Sequence, residues 1–521
     1  MAIALWYRAM DVVRARQHSI GDLPRRTAGR YPDKLAVRFG ETTWTYRELD
    51  EICNRLANGL IERGLAAGDR VAILSRNSHA FAALRFALAR TGGVLVPINF
   101  MLNAQEIAYI LRSSGARALA VSDEFLDTGS KAAALDTSVS QAFRLSALDD
   151  LLGRDTHPPE IRVECGGLAQ IVYTSGTEAL PKGAMLTHDA VLWQYVSCIV
   201  DAEIGASDVI LHALPMYHCA QLDVFLGPGI YQGATNIIAP APTPEIVLPL
   251  IAEYRITSFF APPTVWIGLL RSPLFDQLDH SSLRKGYYGA SIMPVEVLRE
   301  IQRRIPELRL WNLYGQTEIA PLATVLGPDD QLRKPGSCGR PVMNVETRVV
   351  DGRMNDVRPG EVGEIVHRSP QLLSGYYDAP DKTASAFEGG WFHSGDLATV
   401  DEDGFITVVD RKKDMIKTGG ENVASREVEE AIYRMPQVSE VAVIGLPDPK
   451  WIEAVTAIVV VKAGHSLDGA ALVAHCQEHL AGFKVPKHVF FCAALPKNPS
   501  GKILKRELRQ LYESTGAGRP T

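Results

Sequence analysis

Tyr173-Thr174-Ser175-Gly176-Thr177-Glu178-Ala179-Leu180-Pro181-Lys182-Gly183 follows a short apolar run, Leu168 to Val172. That run reads as a strand, and a helical pattern begins near Asp189, so the segment is predicted to be a strand-to-helix loop. Hydroxyls, glycines and one lysine on such a loop suit a polyphosphate. Backbone N–H groups and hydroxyls bond its oxygens, and the Lys182 ammonium offsets their charge. The segment does not fit the G-x-x-x-x-G-K-[ST] P-loop, because Pro181 stands where the second glycine belongs. Taken alone, Gly, Ser and Thr also make ordinary turns, so the reading depends on the rest of the chain.

On both sides of this loop the pattern is mostly strand–helix alternation, from Asp33 to about Val409. Leu35–Phe39 and Thr43–Tyr46 read as a hairpin turning at Gly40-Glu41. Helices are predicted over Tyr46–Gly64, His79–Arg90 and Ala104–Ser114, and strands over Val71–Leu74, Val94–Ile98 and Ala118–Ser122. Such alternation predicts parallel sheets covered by helices. From Val345 to His367, turns at Asp351-Gly352 and Pro359-Gly360 predict short antiparallel hairpins that form a small β-barrel-like part. After the charged run Arg411-Lys412-Lys413-Asp414 the pattern becomes a compact α+β unit, with helices over Arg426–Tyr433, Asp468–Leu480 and Lys502–Leu511. The expected organisation is therefore a large α/β domain over residues 1–410, a hinge over 411–413 and a small mobile α+β domain over 414–521.

The bulk properties narrow the class. A chain of 521 residues builds two or more domains with large cores. It is 46% hydrophobic and 22% charged, near the average for a globular protein. A net charge of −6 leaves no nucleic-acid footprint. The seven cysteines are scattered, with no C-x-x-C pair. This argues against a zinc site or disulfide scaffold and fits a reducing compartment, so a cytoplasmic location is expected. The apolar opening, Met1 to Tyr7, ends at Arg8 and is too short for a signal core or membrane span. No spanning run is seen elsewhere, and no C-terminal anchor is expected.

Further segments join the phosphate loop in a fixed order: Thr45-Tyr46-Arg47-Glu48-Leu49, Leu214-Pro215-Met216-Tyr217-His218, Tyr288-Gly289-Ala290-Ser291, Asn312-Leu313-Tyr314-Gly315-Gln316-Thr317-Glu318, Gly390-Trp391-Phe392-His393-Ser394-Gly395-Asp396-Leu397, Asp410-Arg411-Lys412-Lys413-Asp414, Lys417-Thr418-Gly419-Gly420-Glu421-Asn422-Val423, and Pro499-Ser500-Gly501-Lys502. Together these resemble the adenylate-forming enzymes: acyl-CoA synthetases, stand-alone adenylation domains and luciferases. The resemblance runs through nearly the whole chain and is nearest to bacterial acyl-CoA synthetases.

The resemblance implies roles. Thr174, Ser175, Gly176, Thr177 and Lys182 would cradle the ATP phosphates. His218 and Tyr288 would line the acyl pocket, with Gly289 and Ala290 flanking both that pocket and adenine. Tyr314 and Gly315 would lie against adenine, and Thr317 would hydrogen-bond the α-phosphate. Glu318 would hold Mg²⁺, since a hard cation takes carboxylate and phosphate oxygens. Asp396, at a turn after an aromatic strand, would bind the ribose hydroxyls together with Arg411. Lys413 would be the hinge, and Gly419 and Gly420 would approach the CoA pantetheine arm. Lys502 would bridge the substrate carboxylate and the α-phosphate as charge develops. Its neighbours Lys497, Lys505 and Arg506 read as solvated cations or contacts for a CoA phosphate.

The implied activity is AMP-forming acid–thiol ligation. A carboxylic acid, fatty or otherwise hydrophobic, is activated by Mg·ATP to acyl-AMP and transferred to CoA. A stand-alone adenylating enzyme serving an acyl carrier protein is the alternative acceptor scheme, and a degenerate nucleotide-binding sensor is the non-enzymatic rival. Homodimer formation is left open. Amino-acid substrates are disfavoured because His218 fills the region where an ammonium-binding Asp is expected, although Asp223 lies nearby. The phosphate loop departs from the family pattern at Glu178 and Ala179, where a second Thr and a Gly are usual.

Overall fold

The computed structural model describes residues 15–174, 181–291, 293–412, 414–418, 421–498 and 503–514. Two large sheets dominate the first 400 residues. In one, the strands Arg309–Gly315, Lys285–Gly289, Ser258–Phe260, Val209–His212, Thr235–Ile238 and Leu35–Phe39 run parallel in that spatial order. Antiparallel strands flank them on both edges, Leu322–Leu326 on one side and Thr42–Thr45 on the other. In the second sheet, Leu168–Thr174, Val94–Ile98, Arg70–Leu74, Ala118–Val121 and Gln141–Arg144 are parallel.

Local signals set the helices between these strands. Thr45 accepts the Glu48 amide while Glu48 reaches back to the Thr45 amide, so a capping box starts the helix Tyr46–Glu62. Asn103 and Glu106 do the same for Ala104–Ser114. The helix His79–Thr91 is buried on every side after its first residue. An apolar surface all round places a helix in the interior, and its residues share one core with strands of both sheets.

The phosphate-loop region differs from the expected strand-to-helix connection. Lys182–Thr187 forms a strand antiparallel to Leu168–Thr174, with Thr174 opposite Lys182, and the helix His188–Asp201 follows it. The segment thus joins two antiparallel strands, not a strand and a helix. The return strand is short and its alternation mild, which hides it from periodicity.

A four-stranded antiparallel sheet, Glu346–Val350, Gly363–Arg368, Phe392–Val400 and Ile406–Arg411, occupies the place of the barrel-like part. The C-terminal domain is built on Val438–Asp448 paired antiparallel with Ile452–Val461, flanked by Ile416–Thr418 and by the parallel strand His488–Phe491. Its helices are Ser425–Tyr433, Gly469–His479 and Lys505–Ser514. It meets the large domain through Arg271, which donates to Ser439 Oγ at 2.7 Å, and Arg426, which donates to the Gly336 carbonyl at 2.9 Å.

Candidate active site

The segment 314–318 leaves the carboxyl end of the strand Arg309–Gly315, where open α/β sheets bind ligands. Gly315 is required by close approach: a Cβ there would lie 1.8 Å from the Pro321 carbonyl oxygen. Three groups of side chains converge on this segment.

The first is the candidate nucleotide end. The Tyr314 hydroxyl donates to Asp396 Oδ2 at 2.7 Å, and Arg411 pairs with Asp396 Oδ1 at 3.4 Å. Asp396 lies within the strand Phe392–Val400, directly opposite Arg411 on the neighbouring strand, so the expected turn is replaced by a strand position. Strand register therefore brings the two candidate ribose contacts together. A carboxylate has about four lone-pair sites, so Asp396 keeps acceptor capacity beyond these two contacts.

The second group surrounds Glu318. Its Oε1 accepts the Tyr376 hydroxyl at 3.0 Å, and the Lys182 ammonium lies 5.5 Å from the Tyr376 ring centroid. Burial pushes the Glu318 carboxyl above the usual range, opposed by the Tyr376 hydrogen bond and the Arg411 charge. A half-buried carboxyl of this kind is suited to a cation. Among the described residues no three His, Cys, Asp or Glu side chains cluster into a metal cage. A Mg²⁺ held by Glu318 would therefore draw its other oxygens from phosphate and water.

The third group joins the phosphate and acyl elements. Thr317 Oγ1 lies 3.3 Å from Cys219 Sγ. His218 caps the short helix that Cys219 opens, its Nδ1 accepting the Ala220 amide at 3.2 Å. Burial pushes the Cys219 thiol up to about 12, so it acts as a neutral contact. Asn77 braces the same element: its Nδ2 donates to the Leu214 and Ala239 carbonyls at 2.8 and 3.1 Å, and its Oδ1 accepts the Met216 amide at 2.7 Å.

Asp223 follows His218 on this element and is fully buried. Its carboxylate accepts from Arg85 at 3.2 Å, Tyr195 at 3.0 Å and Gln170 at 2.7 Å. Both oxygens are engaged and the charge is offset by a buried guanidinium.

Tyr288, expected at the acyl-pocket wall, is packed against Gln331. Phe225 of the acyl element stacks on Phe260 and meets Tyr287 edge-on, with centroids 4.9 and 5.0 Å apart. Successive side chains on a strand face opposite ways, so Tyr288 points away from that element. It is 2% exposed, and its hydroxyl donates to Gln331 Oε1 at 2.7 Å. Tyr287 and Gly289 share the face toward the acyl element. Tyr288→Phe is expected to lower stability by about 1–3 kcal/mol, the cost of leaving the buried Gln331 oxygen unpaired, with an unchanged acid profile. Thermal melts and an acid panel check this; a shifted profile would return Tyr288 to the pocket wall. Ala290 adopts φ +63°, a left-handed conformation that costs a residue with a Cβ about 1–2 kcal/mol.

The structure thus gathers Lys182, His218, Tyr314, Gly315, Thr317, Glu318, Asp396 and Arg411. Ser175, Gly176, Thr177, Glu178, Ala179, Lys413, Gly419, Gly420 and Lys502 lie outside the described residues. Gly419 and Gly420 fall between the paired strands Ile416–Thr418 and Glu421–Val423. Lys502 falls between Lys497 and Ile503, which form an antiparallel bridge. Tyr376, Cys219 and Asn77 had no sequence signal; each acts through a contact with a residue far away in the chain.

Two family models match the chain. The model for AMP-binding enzymes covers residues 24–377, and that for the AMP-binding enzyme C-terminal domain covers 427–502. Feruloyl-CoA synthase of an Amycolatopsis species is 39% identical over 497 residues, 95% of this chain and all of that protein. Long-chain-fatty-acid–CoA ligase FadD13 of Mycobacterium tuberculosis is 36% identical across 90% of this chain and 93% of its own. MatB from Rhodopseudomonas palustris, 31% identical, covers 95% of this chain and 99% of its own; it superposes with a TM-score of 0.87 in its ATP-bound structure and 0.77 in its apo structure. The arrangement of this chain is therefore nearer the ATP-bound form. With both family models matched in order and relatives 36–39% identical over nearly the whole chain, the chain belongs to the AMP-binding enzymes and is an adenylate-forming acyl-CoA synthetase.

Proposed function

We propose that the acid taken by this enzyme is hydrophobic and carries no ammonium group, with aryl acids included in its range. The observation that carries this reading is the Arg85–Asp223 pair. Asp223 is the one charged residue of the element His218–Leu226, and its charge is already compensated. An amino acid entering there would meet no free carboxylate for its ammonium, and burying that charge unpaired is costly. The similarity to a feruloyl-CoA synthase supports aryl acids, and the similarity to a long-chain ligase supports alkyl ones.

In the proposed course, Asp396 and Arg411 hold the ribose and Tyr314 lies beside the base. The Thr317 hydroxyl donates to an α-phosphate oxygen, with Cys219 restricting its rotamer. Glu318 would hold Mg²⁺, which supplies charge compensation at the phosphates. The substrate carboxylate attacks the α-phosphorus and its bond to the leaving pyrophosphate breaks. Lys502 offsets the charge that develops between carboxylate and phosphate. The C-terminal domain then turns at 411–413, Gly419 and Gly420 come to the thiol channel, and the CoA sulfur attacks the acyl carbon as AMP leaves. His218, next to the acyl group, gates that approach.

An acid panel with ATP and CoA, scored for pyrophosphate release and thioester mass, tests the substrate class. Aryl and medium or long alkyl acids are expected to react. Discrimination between neighbouring chain lengths should be modest, about 10–200-fold per step. Free amino acids are expected to give neither product. Pyrophosphate release with amino acids above the hydrophobic acids would overturn the reading.

A further inference from the structure

Lys505 begins the final helix, Lys505–Ser514, three residues beyond Lys502. The expectation of a solvated cation fails there, because only 19% of its side chain is exposed. Its ammonium donates to Ser425 Oγ at 2.6 Å and pairs with Glu429 at 2.8 Å. The Ser425 hydroxyl in turn donates to Asp410 Oδ2 at 2.8 Å, and the Ser425 amide reaches the same oxygen at 2.7 Å. The other Asp410 oxygen accepts the Arg411 amide at 2.8 Å, and Arg411 pairs with Asp396. A continuous polar chain so runs from the helix behind Lys502 to the carboxylate at the nucleotide end of the site. Ser425 is fully buried and Asp410 nearly so. In that low-dielectric setting the bonds are strong and water competes little.

One helical turn later, Arg509 pairs with Asp414 at 2.8 Å. Lys505 and Arg509 stand at i and i+4 and so share a face, and both hold residues that follow position 413. Lys505, Ser425, Glu429, Arg509 and Asp414 all lie beyond 413, whereas Asp410 lies before it. A turn of the C-terminal domain at 413 therefore carries Ser425 away from Asp410 and leaves the other contacts intact. The contact belongs to the arrangement seen here, the one nearer the ATP-bound neighbour.

We infer that Lys505, Ser425 and Asp410 form a positioning relay for acyl-adenylate formation, registering the segment that carries Lys502 against the ribose-binding strand. The inference rests on the reading of Lys502 as the charge partner of that half-reaction. Lys505 itself touches no reacting atom; it acts through the segment before it.

Ser425→Ala removes the middle of the relay and keeps both the backbone contact and the Lys505–Glu429 pair. Acyl-adenylate formation is expected to fall about 10-fold in kcat, the scale of one buried hydrogen bond to a charged group. The acid KM and thioester formation from supplied acyl-adenylate are expected to stay within about 2-fold. Lys505→Gln should show the same selective loss, and Lys505→Arg should recover most of it. The double variant Ser425→Ala/Lys505→Gln should be no slower than Lys505→Gln alone, because both break one chain. Equal loss in the two half-reactions, or an unaffected first half-reaction in Ser425→Ala, overturns the relay. A wild-type enzyme that forms no acyl-adenylate from any acid would sink the reading of Lys502, and that outcome is visible before any variant is compared.

Discussion

Lys502→Ala is expected to lower acyl-adenylate formation by about 10³-fold, the scale reached when a preorganised partner of transition-state charge is removed. The effect should be confined to the first half-reaction. Thioester formation from supplied acyl-adenylate should survive within about 10-fold, because in the proposed role the lysine meets the carboxylate and α-phosphate only while their new bond forms. The ends of the segment are tied independently of this side chain. Lys497 bridges Ile503, the Leu504 amide donates to the Pro496 carbonyl at 2.9 Å, and Lys497 pairs with Glu440. Alanine should therefore leave the fold intact, which circular dichroism and a melting curve verify. Single-turnover measurement of each half-reaction decides the point; equal losses in both would remove Lys502 from the adenylation step.

Lys413→Pro is expected to produce the opposite split. Proline fixes φ near −65° and removes an N–H donor, so a residue that must change φ and ψ between two domain orientations loses one of them. Position 413 follows the ribose-contact strand Ile406–Arg411 and precedes the C-terminal strand Ile416–Thr418. Since the chain lies nearer the ATP-bound form of its neighbour, acyl-adenylate formation should persist. Thioester formation should drop by about 10²-fold or more, as expected when the thiol channel is misplaced by an ångström or so. Accumulation of enzyme-bound acyl-adenylate by mass spectrometry is the direct readout. Unchanged turnover would show that the chain pivots elsewhere.

What could be read from the sequence was local. The helices over Tyr46–Glu62 and Ala104–Ser114 carry their own start signals, Thr45 with Glu48 and Asn103 with Glu106. The parallel strands are short apolar runs between helical patterns. The segment Asn312–Glu318 holds its meaning in adjacent residues, since one strand end delivers an aromatic ring, a hydroxyl and a carboxylate to one place. These features persist because capping, periodicity and strand-end chemistry involve residues only a few positions apart.

What the sequence left open was the meaning of individual charges and rings. Asp223, whose nearness to His218 leaves an amino-acid substrate in doubt from the sequence, is paired with Arg85, 138 positions away in the chain. Tyr288 is expected at the pocket wall, and the fold gives its hydroxyl a buried partner in Gln331 that no local pattern announces. Lys505 reads as a solvated cation or a CoA-phosphate contact, and the domain folds it onto Ser425 and Glu429. Asp396 and Arg411 were each named, but only the register between their strands makes them a pair. The family and most of the order of strands and helices were legible in the residues themselves. Which charged and aromatic side chains are engaged with one another was settled only by the fold. A charge or hydroxyl carries no fixed role of its own: its partner is chosen by sheet register and domain packing, which join residues that no local pattern connects.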